Sequence, residues 1–169
     1  MQTLHPEIPT MADRFRHARA WACMLAALFG STSWADEKGG AARVPLLPKY
    51  REECAACHIS YPPGMLPAAS WQRIMATLPR HYGTDASLDP ATVSALAGWL
   101  SANASTSGRR SEPPPEDRIT RSAWFVREHR EVSPAIWKLP GVKSASNCAA
   151  CHTQADQGDF NERNVRYPR

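Results

Sequence analysis

Two five-residue runs carry most of the chemistry this sequence can do: Cys54-Ala55-Ala56-Cys57-His58 and Cys148-Ala149-Ala150-Cys151-His152. Thiols three residues apart fall on nearly the same side of one helical turn. Both can therefore add to the two vinyl groups of a single porphyrin, with the adjacent histidine held beneath the iron. Cys-x-x-Cys-His is the attachment signature of c-type haem. Two copies imply two covalently attached haems, with Cys54, Cys57, Cys148 and Cys151 as thioether donors and His58 and His152 as iron ligands. Competing chemistries explain less. Two disulfides would suit four cysteines in an oxidising compartment, but need no histidine after each pair. A four-thiolate zinc site leaves both histidines unexplained, and a thioredoxin-like redox pair lacks its βαβ surroundings.

Haem attachment of this kind takes place outside the cytoplasm, and the N-terminus is consistent with export. Arg14, Arg16 and Arg19 precede the apolar stretch from Trp21 to Gly30, and Ser31-Thr32-Ser33-Trp34-Ala35 follows. Basic residues, a short apolar core and small residues before the cut make a secretory signal peptide. Cleavage is expected after Ala35, and Met11 gives a more typical leader than Met1. An apolar run of about ten residues falls short of the roughly 20 that span a bilayer, so a cleaved leader is favoured over an anchor. The expected compartment is the periplasm, with no stable membrane span after cleavage.

Cleavage changes the inventory of ligands. The odd cysteine, Cys23, is removed, and of six histidines His5 and His17 go with it. His81 and His129 remain beside the two motif histidines, two spare imidazoles for two irons that each need a sixth ligand. Local order pairs His81 with the first haem and His129 with the second; crossed pairing is the alternative. Met65 and Met75 are the other candidate ligands. Met75 stands at helical spacing with Ile74 and Leu78, as a core methionine would, whereas Met65 lies in a loop. The choice matters because methionine raises the reduction potential relative to histidine.

The elements that must position these groups are helical. Residues 49–58 read as a helix running into the first motif, and Tyr61-Pro62-Pro63-Gly64 forces a turn. Ser70 is expected to cap a helix carrying Trp71, Ile74, Met75 and Leu78 on one face, stopped by Pro79. Asp89-Pro90 opens another, with Val93, Leu96, Ala97 and Leu100 inward and an end near Asn103. A helix is expected from Ser122 to about Val132, a short one from Ser133-Pro134 through Trp137, and one or two helical turns from near Ser144. No segment alternates as a strand would. The fold class is mainly α, in two small haem-binding domains at 36–104 and 119–169. A proline-rich linker or strap at 105–118 divides them, with residues 1–35 as the leader.

Charge excludes little but points away from nucleic acid. Removing Arg14, Arg16, Arg19, Glu7 and Asp13 with the leader takes the 20 basic and 16 acidic side chains to 17 and 14, scattered rather than striped. Arg109, Arg110, Arg127 and Arg130 could pair haem propionates, with the two that flank His129 the better candidates. Four tryptophans remain, Trp71, Trp99, Trp124 and Trp137, with core packing as their ordinary role.

Together these stretches resemble the dihaem cytochrome c family of bacterial periplasmic electron carriers. The likeness rests on Glu53 to Pro67, on Trp71 to Leu88 with Leu78-Pro79-Arg80-His81-Tyr82-Gly83, on Thr120 to His129, and on Asn147 to His152 with Gly158-Asp159-Phe160. The first half also resembles a compressed class I cytochrome c with histidine where methionine usually stands. The family resemblance implies two low-potential bis-histidine haems. It also implies exchange of electrons with other redox proteins, in some members a small oxygen-binding c-type haem protein, with a membrane electron donor upstream. An electron carrier rather than an enzyme is expected. The competing expectation is a haem enzyme or gas-binding protein with one open coordination site.

Overall fold

The computed structural model describes residues 44–168; the leader and its cleavage site lie outside the described residues. Among the described residues five α-helices alternate with short 3-10 turns, and there is no strand, only isolated bridges. The chain is mainly α, as its patterning predicts.

Proline sets the starts of several elements, because its fixed φ suits a first turn and its missing N–H costs nothing there. Helix α1 is Pro48–Cys54, ending at the first cysteine rather than running to His58. Pro63–Met65 makes a 3-10 turn, and α2 is Ala68–Ala76. Ser70 is not its cap: the helix begins earlier, after extended Pro67, and Ser70 is fully buried within the first turn. The chain leaves helical geometry at Thr77, before Pro79, which sits inside the 3-10 turn Leu78–Arg80. Helix α3, Pro90–Ala102, starts as expected, with the Asp89 carboxylate accepting the Thr92 N–H at 2.9 Å.

Helix α4 is Ala123–Glu128, capped by the Ser122 hydroxyl on the Phe125 N–H at 3.2 Å. It is shorter than its pattern suggests because His129 departs from helical geometry. Helix α5 is Pro134–Trp137.

Two apolar clusters hold these elements. The first packs Tyr50, Leu66, Trp71, Met75, Leu78, Leu96 and Leu100, with Leu96 and Leu100 fully buried. The Trp71 indole N–H fastens α2 to the proline turn by donating to the Pro63 carbonyl at 2.7 Å. The second cluster centres on Trp124 and Phe125, and Met65 from the first half of the chain fills it, with Tyr61 alongside.

Residues 105–118 form a strap fastened to α2 and the turn that follows it. Arg73 donates from Nε and Nη2 to the two Asp117 carboxylate oxygens at 2.8 and 2.6 Å. The Tyr82 hydroxyl reaches the Glu116 and Asp117 carbonyls, both at 3.1 Å, and the Arg118 guanidinium lies 4.3 Å over the Tyr82 ring. Further along, Arg110 lies 4.6 Å over the Trp124 ring. Cation–π and bidentate contacts of this kind hold a length of chain that has no hydrogen-bond ladder of its own.

Candidate metal centres

Each Cys-x-x-Cys-His run folds as one turn closed by its own histidine. The His58 N–H donates to the Cys54 carbonyl at 3.5 Å, and the His152 N–H to the Cys148 carbonyl at 2.8 Å. That four-residue spacing brings the imidazole back toward the first cysteine. The second run has its helical turn at Cys148–Ala150, of the 3-10 kind and starting later than Ser144. It is held from outside: the Arg166 N–H donates to the Cys151 carbonyl at 2.8 Å, and His152 bridges to Val165. All four thiols are free, and burial pushes Cys54 and Cys148 up to about 11.

Opposite each motif histidine stands one of the two spare histidines. The His58 and His81 rings are 6.0 Å apart between centroids, with their planes 28° from parallel. The His129 and His152 rings are 6.1 Å apart, with planes crossing at 72°. Two metal–imidazole bonds of about 2.1 Å laid end to end, plus about 1.1 Å from nitrogen to ring centre on each side, give roughly 6.4 Å. Each pair therefore has the spacing of two imidazoles on one iron. The methionines lie elsewhere: Met75 is buried in the first cluster and Met65 in the second.

Hydrogen bonds prepare two of the four rings. His58 Nδ1 lies 2.7 Å from the Ile59 carbonyl, and His129 Nδ1 lies 2.9 Å from the Phe125 carbonyl. A carbonyl can only accept, so both Nδ1 atoms carry the proton, which leaves Nε2 with its lone pair for a metal. Burial first, and then the neighbouring His58, lowers the pKa of His81; burial and then His129 does the same for His152. The neutral ring is the form that binds metal. His152 Nδ1 is buried with no hydrogen-bond partner, as is Trp124 Nε1.

Aromatic contacts fix the rings further. Phe125 stacks on His129 at 4.0 Å, and Phe160 lies 5.2 Å from His152. Tyr61 stacks on His58 at 4.9 Å. His81 heads a tight turn in which Tyr82 and Gly83 take left-handed backbone, φ 51° and 98°, closed by the Thr84 N–H on the His81 carbonyl at 3.0 Å.

Tyr61, Tyr82 and Asp117 are the positioning residues that sequence reading passes over. Tyr82-Gly83 beside a spare histidine is a local signal for the turn. Asp117 has none, because its partner lies 44 residues away. Of the arginines flanking His129, Arg127 pairs with Glu128, and Arg130 lies exposed, 3.9 Å from Glu131.

No group of three or more His, Cys, Asp or Glu side chains among the described residues forms a cage for a bare ion. Each of the two sites instead offers two thiols that can anchor a macrocycle and two facing imidazoles as metal donors. A porphyrin fits this set, because it supplies the remaining four donors itself. The architecture is that of a small helical protein built to hold two haems.

Comparison with known proteins agrees. The family model for dihaem cytochrome c matches residues 50–160, and the chain belongs to that family, with its two c-type haems and haem-based electron transfer. A dihaem c-type cytochrome from Shewanella baltica OS155 is 36% identical, with 74% of this chain and 95% of that one covered at a TM-score of 0.64. Two structures of the Rhodobacter sphaeroides dihaem cytochrome c are 47% and 45% identical, covering 69% and 70% of this chain and 99% and 100% of theirs, at TM-scores of 0.61 and 0.63. No protein of curated function matches. No helix among the described residues is long and apolar enough to cross a membrane.

Proposed function

We propose that the protein is a periplasmic electron carrier in which His58 and His81 hold one haem iron and His129 and His152 the other. Cys54 with Cys57, and Cys148 with Cys151, supply the thioethers. The observation that carries this reading is the spacing of the two imidazole pairs, 6.0 and 6.1 Å. With both faces of each iron filled, substrate and gas have no coordination position, and histidine on both sides favours low potentials. The haems supply the one-electron chemistry.

The chain's own contribution is to bind, orient and shield. Ile59 and Phe125 carbonyls hold the His58 and His129 rings in the tautomer that offers Nε2. Phe125 and Phe160 pack against the second pair, and the strap steadies the turn that carries His81. Electrons are exchanged with other redox proteins, among them a small oxygen-binding c-type haem protein as acceptor and a membrane donor. The basic and apolar leader supports export.

Carbon monoxide added to the fully reduced protein tests the closed sites. No rapid binding is expected. Rapid stoichiometric uptake at either haem would sink the electron-carrier reading in favour of an open-site enzyme or gas binder.

A further inference from the structure

Tyr61 touches both haem sites at once. Its ring stacks on His58 at 4.9 Å, with the planes 26° apart. Its hydroxyl donates to the Ser146 carbonyl at 2.9 Å, and the Cys148 thiol points at the same carbonyl from 3.6 Å. From behind, the Tyr50 hydroxyl donates to the Tyr61 carbonyl at 2.9 Å, and Tyr61 packs against both apolar clusters. Attachment of a haem at Cys54 and Cys57 does not call on the Tyr61 hydroxyl, and the Ile59 carbonyl already orients His58. The reach of Tyr61 to Ser146 needs another explanation.

We infer that Tyr61 is the coupling residue between the two haems, and that electron exchange between them crosses its ring and its hydrogen bond to Ser146. The inference rests on the reading of His58 as an iron ligand and Cys148 as a haem anchor. The path runs from the His58 ring through a stacked contact to the phenol, across one hydrogen bond to Ser146, and along two residues of backbone to Cys148. Bonds and hydrogen bonds carry tunnelling electrons better than gaps of the same length.

The exchange is a one-electron transfer: a ferrous site is oxidised, the ferric site of the other haem is reduced, and no proton moves. Tyr61 keeps its electrons throughout. Its phenol bonds to an amide carbonyl, which is no base. Removal of an electron from a phenol is hard when its proton has nowhere to go.

Tyr61→Phe and Tyr61→Leu in the full haem-loaded protein separate the two links. A sub-stoichiometric pulse of dithionite followed by freeze-quench paramagnetic resonance tracks redistribution of the electron between the two ferric signals. Tyr61→Phe, which keeps the ring and loses the hydroxyl, is expected to slow redistribution several-fold. Tyr61→Leu, which also removes the ring stacked on His58, should slow it further, with the first resting signal shifted, both irons still low-spin and the haem-to-protein ratio of two retained. An unaltered rate in either variant overturns the proposal and assigns exchange to a direct route between the haems. Should Tyr61→Leu fail to fold, Tyr61→Phe decides alone. A wild-type protein without two bis-histidine signals overturns the ligand reading itself, and the coupling role with it.

Discussion

Tyr82 and Asp117 meet with both backbones in the left-handed region, φ 51° and 55°, and the Tyr82 hydroxyl donates to the Asp117 carbonyl at 3.1 Å. Non-glycine residues in that region cost roughly 1–3 kcal/mol each, and persist where surrounding contacts over-determine them. Here two of them are tied together directly beside His81. Tyr82→Phe keeps the ring and its contact with Arg118 and loses the hydroxyl bonds. A loss of about 1 kcal/mol of stability is expected by chemical denaturation. The ferric resonance signal of the first haem should broaden while that of the second stays as it was.

The anchor of that turn titrates in acid. The Arg73 guanidinium, with help from the Ser70 hydroxyl, holds the Asp117 carboxyl below its ordinary 3.8. A carboxylate depressed by folding contributes its full stability above the unfolded value and loses it as pH falls through the folded one. The expected result is a gap in urea midpoint between wild type and Asp117→Asn that is constant from neutral pH to about 4 and closes below 3.8. A gap independent of pH would show that the carboxylate's charge plays no part.

The two imidazole pairs differ in a way that resonance can see. Bound to one iron, rings at 28° would impose nearly parallel fields, and rings at 72° nearly perpendicular ones. The oxidised protein is therefore expected to give two distinct low-spin ferric signals, one rhombic and one highly anisotropic. A single type of signal integrating to both haems would contradict this geometry, and a histidine–methionine charge-transfer band would contradict the ligand assignment.

Removal of one distal ring should open one haem and spare the other. His81→Ala and His129→Ala are each expected to bind one equivalent of carbon monoxide when reduced, with the visible spectrum of only one haem perturbed. Crossed pairing predicts the opposite haem in each variant, and attachment-site peptides carrying the altered haem distinguish the two.

Ser122 caps the helix that carries the Phe125 carbonyl to His129. Ser122→Ala is expected to cost about 1 kcal/mol, within the usual range for a lost cap. Because His129 Nδ1 depends on that helix, the variant should also show the second ferric signal shifted and the first unchanged. Equal disturbance of both signals would point to general loosening instead.

Much of the first half is legible because its signals are local. Asp89 caps three residues ahead and Pro90 fixes the next φ, so the start of α3 needs no tertiary information. The motifs announce their haems for the same reason. Ser70 misleads as a cap because its hydroxyl serves the Arg73–Asp117 pair, across 44 residues of sequence. Around the second motif the chain substitutes long-range backbone bonds, such as Arg166 to Cys151, for helix, and no periodicity records those. The separations of the histidine pairs, and the role of the strap in holding His81, belong to this class.

Met65 sits in sequence with the first motif and in space with Trp124 and Phe125. A chain divided at the strap would leave that cluster short of a side chain on one piece and an apolar methionine bare on the other. Either haem-bearing half made alone is expected to lose stability through that cluster. A cavity opened by substitution at Met65 should accordingly be refilled by a compensating change at Trp124 or Phe125, far away in the chain, sooner than by any change at its sequence neighbours.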